Sequence, residues 1–123
     1  MYELTYRIQF PAAHFLRDYD GVCKNMHGHN WEVAVTLTGG KLHSNGTLID
    51  FYDIEKALKP LRERLDHAVI NEIPPFTEIS PTSENISKWV FDQIRPALER
   101  DGVRLAQVAV NEYDNSTIVY RPD

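Results

Sequence analysis

The chain has 123 residues, 42% of them hydrophobic and 25% charged, which is the mixture of one compact globular domain spanning residues 1–123 and not of a disordered chain. Its formal charge of −5, with Lys and Arg scattered instead of striped, excludes the electrostatic footprint of a nucleic-acid binder. No window approaches the length of a transmembrane span and Met1 runs straight into an alternating segment, so no membrane partner is expected and the cytoplasm is the expected compartment.

In chain order, Tyr2, Leu4, Tyr6, Ile8 and Phe10 alternate with Glu3, Thr5, Arg7 and Gln9, the period-two signature of a half-buried strand. Its polar face should meet water or a polar cavity. Residues 15–26 carry no period and are too long for a tight turn, so a loop is expected there. Trp31, Val33, Val35 and Leu37 mark a second strand that stops at Gly39 and Gly40. After a polar loop, Asp53 is the expected N-cap of a helix whose stripe is Ile54, Leu58, Leu61 and Leu65, with Pro60 expected to kink or divide it. Thr82 is the expected N-cap of a second helix with Ile86, Val90 and Ile94 on one face, and Pro96 is expected to disturb its end. Residues 103–112 and 117–120 read as a closing hairpin turning at Asp114-Asn115. The order strand, strand, helix, helix, strand, strand predicts an α+β fold: a four-stranded antiparallel sheet with both helices on one face.

His27 and His29 are two apart in extended backbone and so point to one side, and His14 ends the first strand where pairing brings it near the start of the second. An isolated histidine is most often packed or solvated. Three imidazoles together suit a catalytic zinc site, whose fourth position is left to water or substrate. The single cysteine, Cys23, lies four residues before His27 and has three readings: a small buried hydrophobe, a proton acceptor near a cation, or a fourth zinc ligand. Asp66 and His67 can orient or protonate a reacting group, or serve only to cap a helix. Glu112 can give planar recognition to a guanidine-like heterocycle, or be a solvated strand-end residue. His43 reads as a solvated loop residue.

FPAAHF, CKNMHGHN, RLDHAVIN, PTSEN and VNEYDNSTIVY, taken together and in order, resemble the successive motifs of the 6-pyruvoyltetrahydropterin synthase family over nearly the whole chain. The three residues separating Cys23 from the H-G-H motif resemble its bacterial 6-carboxytetrahydropterin synthase branch, which serves preQ0 and queuosine biosynthesis. The resemblance implies the tunnelling fold, whose sheets join into a barrel in a homo-oligomer, expected as a hexamer built from two trimers with active sites between subunits. It implies Zn(2+) on His14, His27 and His29, Cys23 as catalytic acid or base, Asp66 and His67 as a proton relay, and Glu112 anchoring a pterin triphosphate substrate. The activity implied is that of a lyase taking 7,8-dihydroneopterin triphosphate to 6-carboxytetrahydropterin, acetaldehyde and triphosphate. The pyruvoyl-forming reaction and a non-enzymatic pterin- or metal-binding protein are the alternatives.

Overall fold

The computed structural model describes residues 1–123. Strand β1 spans Tyr2–His14 and β2 spans His27–Gly39, and the two pair antiparallel over their whole length, from Tyr2 opposite Gly39 to His14 opposite His27. Both run further than the alternation alone indicated. The sequences FPAAH and HGHN break the apolar period at the end where the ladder carries the histidines. Pro11 is accommodated because it stands at the outer side of this ladder: its carbonyl faces away from β2 and accepts from the His67 N–H at 2.7 Å, so its missing N–H leaves no β2 carbonyl unpaired.

Helix α1 covers Phe51–Leu65, and its N-cap is Asp50, whose carboxylate accepts from the Tyr52 N–H at 2.9 Å; Asp53 lies inside the first turn, where its charge favours the positive helix end. Helix α2 covers Ser83–Leu98 and is capped by Thr82, whose Oγ1 accepts from the Asn85 N–H at 3.1 Å. Pro60 and Pro96 sit within these helices without ending them. Both lie on the exposed side, where water can take the carbonyl each proline strands.

Between the helices, Ala68–Val69 form a two-residue strand, β3, parallel to β1 at Ala12 and Ala13. Strands β4, Arg104–Tyr113, and β5, Ser116–Tyr120, close the sheet as a hairpin turning at Asp114-Asn115. The sheet therefore has five strands in the order β3-β1-β2-β4-β5 and is mixed, which corrects the expected four-stranded antiparallel sheet. A two-residue strand is too short to show any period, and its pairing is decided by the exit direction of α1.

Both helices cover one face. Ile54, Leu58, Leu61 and Leu65 from α1 join Ile86, Val90, Phe91 and Ile94 from α2 against Ile8, Phe10, Trp31, Val33, Val35, Val108 and Val110. Full burial of side chains of this kind is worth about 1.5–3 kcal/mol each. Glu3, Thr5, Arg7 and Gln9 stand exposed on the opposite face, as the alternation requires.

Candidate metal centre and active site

The last rung of the β1–β2 ladder sets His14 beside His27, and His29 follows two residues on along the same face of β2. One ligand atom from each, together with a carboxylate oxygen of Glu112 on β4, lies within 4.8 Å of the others. His14 is completely buried, and Trp31 packs edge-on against both His14 and His29, with ring centroids at 4.8 and 5.4 Å.

Two of the rings are oriented by main-chain carbonyls. His14 Nδ1 lies 2.8 Å from the Pro81 oxygen, and His27 Nδ1 lies 2.7 Å from the Asn25 oxygen. A carbonyl can only accept, so each Nδ1 carries the proton and each Nε2 presents a lone pair. The Nε2 atoms of His14, His27 and His29 are all buried and without a hydrogen-bond partner. Three buried, unpartnered ring nitrogens close together are an unfavourable arrangement unless a cation satisfies them, so the residues fit a divalent ion with nitrogen preference, zinc foremost.

Burial holds His14 and His29 below the ordinary imidazole value of 6.5, against the opposing pull of Glu112 on both rings. They are thus kept in the neutral form that a metal requires. A ring whose folded value is depressed takes its proton more readily in the unfolded chain. The stability it contributes is complete above about pH 6.5 and is lost as pH falls through the folded value. We expect the metal-free protein to show a lower Tm at about pH 5.5 than at about pH 7.5. A thermal-denaturation series with chelator present checks this, and a Tm flat across that window would contradict the assignment.

Glu112 lies further into the centre than a purely substrate-facing carboxylate would. Its oxygens are 3.8 Å from His14 Nε2 and 3.5 Å from His29 Nε2, and Ser83 Oγ donates to it at 3.0 Å. Ser83, at the start of α2, is a site residue that the sequence reading missed; it was visible only as part of PTSEN. Cys23 stands outside this group of four, whose fourth member is Glu112, and the reading of Cys23 as a zinc ligand is not supported by the geometry. Cys23 is half-buried in a 3-10 turn, Val22–Lys24, and its carbonyl accepts from the Leu16 N–H at 2.8 Å, which holds the turn against the end of β1.

Asp66 and His67 do bond each other, with Asp66 Oδ1 2.8 Å from His67 Nδ1. Adjacent side chains meet here because His67 takes a left-handed backbone, φ 57°, as α1 ends, and its N–H is held by Pro11. The carboxylate fixes the proton on Nδ1 and leaves Nε2 free. His67 and His29 share a cleft of about 460 Å³ with Pro11, Ala13, Gly28 and Asn30. His43 is exposed and takes no part.

Comparison with known proteins gives the family. Residues 3–123 match the family described as 6-pyruvoyl tetrahydropterin synthase. The 6-carboxy-5,6,7,8-tetrahydropterin synthase of Bacillus subtilis is 30% identical over 128 residues, covering 98% of this chain and 86% of its own. The human 6-pyruvoyl tetrahydrobiopterin synthase is 32% identical over 133 residues, covering 97% and 90%. In three dimensions, the 6-pyruvoyl tetrahydropterin synthase of Caenorhabditis elegans superposes with a TM-score of 0.86 at 22% identity over 99% of this chain and 96% of that one. With a family match spanning residues 3–123 and a matching fold, this chain belongs to the 6-pyruvoyl tetrahydropterin synthase family.

Proposed function

We propose that the protein is a zinc-dependent carbon–carbon lyase that converts 7,8-dihydroneopterin triphosphate and water to 6-carboxytetrahydropterin, acetaldehyde and triphosphate. The observation that carries the reading is the set of three buried, unpartnered imidazole nitrogens on His14, His27 and His29. Similarity to the Bacillus subtilis enzyme and the short spacing from Cys23 to His27 support the carboxy-forming branch.

When bound, the ion supplies Lewis-acid polarisation to the reacting side chain of the substrate. His14, His27 and His29 would hold it, the tautomers of His14 and His27 being fixed by Pro81 and Asn25. Cys23 as a thiolate takes a proton from the substrate side chain, becoming the thiol, and is regenerated by giving that proton up to the product or to water. His67 receives and returns protons at Nε2 while Asp66 stabilises the imidazolium through Nδ1. Glu112, oriented by Ser83, accepts hydrogen bonds from the amino group and ring N–H of the pterin. Side-chain exposures of 43% for Asp66 and 79% for His67 on the single chain fit active sites completed between subunits of a homo-oligomer, for which a hexamer is our expectation.

The deciding experiment is mass spectrometry of the products formed by the zinc-loaded protein from dihydroneopterin triphosphate. Carboxypterin with acetaldehyde is the expected result. A pyruvoyl product would place the protein in the sister activity, which the similarity to the human enzyme keeps in view. An unconsumed substrate beside a full complement of zinc would leave a binding protein.

A further inference from the structure

His14 is the last residue of β1, as His27 is the first of β2, and beyond this terminal rung the ladder no longer fixes the backbone. Strand β3 supports β1 from the outer side only as far as Ala13, opposite Val69. Two residues later on the same segment, Asn71 continues that support with its side chain. Its Oδ1 accepts from the Phe15 N–H at 2.9 Å, and its Nδ2 donates to the Phe15 carbonyl at 3.0 Å. The amide thus stands in for one peptide unit of a longer β3, satisfying both main-chain groups of the residue that follows the ligand.

Asn71 is only 5% exposed, so its amide has no water to exchange for these bonds. The segment it opens also carries Pro81, whose carbonyl orients the His14 ring, and Ser80, whose Oγ accepts from the Arg17 N–H at 2.9 Å. Arg17 Nη2 reaches back to the Phe76 carbonyl at 2.8 Å. Residues 14–17 are therefore laced to residues 71–81, and Asn71 makes the two bonds nearest to the ligand's own backbone.

We propose that Asn71 is a positioning residue for the metal centre: its side-chain amide fixes the backbone at Phe15 and thereby the point at which His14 Nε2 meets the ion. The proposal rests on the reading of His14, His27 and His29 as a metal site. A loosened His14 is a ligand that must be ordered on binding, so the loss appears as weaker metal affinity and an altered ligand field, not only as lower stability.

The test measures the zinc dissociation constant of the full chain by chelator competition, and the visible absorption spectrum of the cobalt-substituted protein. Wild type, Asn71→Ala, Asn71→Asp and the remote core variant Leu98→Ala are compared. Asn71→Ala is expected to raise the zinc dissociation constant by about 10–100-fold and to change the cobalt spectrum. Leu98→Ala, which removes packing in α2 away from the centre, is expected to lower Tm while leaving both readouts as in wild type. Asn71→Asp keeps the acceptor for the Phe15 N–H and loses the donor, so it should fall between, and it decides the matter if the alanine variant does not fold. A variant at Asn71 that lowers Tm but keeps wild-type zinc affinity and cobalt spectrum reduces the residue to a scaffold role and overturns the proposal. A wild-type chain that binds neither metal overturns the metal-site reading itself, and this proposal with it.

Discussion

Cys23→Ala lowers turnover of dihydroneopterin triphosphate by about 10²–10⁴-fold and leaves the zinc content of the purified protein unchanged. The loss of turnover follows from the proposed role of Cys23, and the unchanged zinc content from the geometry. Cys23 lies outside the group of His14, His27, His29 and Glu112, so removing its sulfur removes no ligand. The contact that holds its turn is made by the Cys23 carbonyl with the Leu16 N–H, a main-chain bond that the substitution keeps. The side chain is half-buried, so truncation leaves no large cavity. In the proposed mechanism what is lost is a proton-transfer group, and the range quoted is the usual contribution of such a group. Parallel measurement of kcat and of zinc by elemental analysis checks it. Wild-type turnover by a zinc-replete Cys23→Ala protein would transfer the proton chemistry to Asp66 and His67, while loss of zinc would return the sulfur to the ligand set.

His14→Ala, by contrast, is expected to abolish zinc binding. Its ring has no exposed surface, its Nδ1 is committed to Pro81, and its Nε2 is one of the three orphaned nitrogens. Two histidines and a carboxylate remain, with the space of an imidazole between them and Trp31. Zinc at a hundredfold excess over its dissociation constant stabilises a folded protein by about 2.7 kcal/mol. The wild type should gain that stabilisation and His14→Ala should gain none. Thermal denaturation with and without zinc reads the difference directly, and a His14→Ala protein whose Tm still rises with zinc would sink the three-histidine centre.

Much of the site was legible because its residues fall where sequence patterns are strongest. The H-x-H spacing on a strand constrains two side chains to one face whatever the rest of the fold does, and the position of His14 at a strand end follows once β1 and β2 pair. Thr82 was legible as a cap because three prolines isolate the start of α2 from what precedes it. Asp50 was not, since Asp53 three residues later is an equally good cap by type, and only the Tyr52 N–H shows which is used. The bond between Asp66 and His67 was invisible because it depends on a left-handed backbone at a residue that is not glycine. Placement of Glu112 beside the histidines, and of Ser83 upon it, required the pairing of β4 with β2 and the docking of α2, both long-range events without a local signal.

The full-length pairing of β1 with β2 has a consequence for how the molecule matures. Slipping that ladder by one residue would turn His14 to the other side of the sheet from His27 and His29 and leave no ion site at all. An ion held by these three histidines would therefore act as a proofreader of strand alignment, since a chain in the wrong register offers it no site and only the aligned conformer would gain its stabilisation.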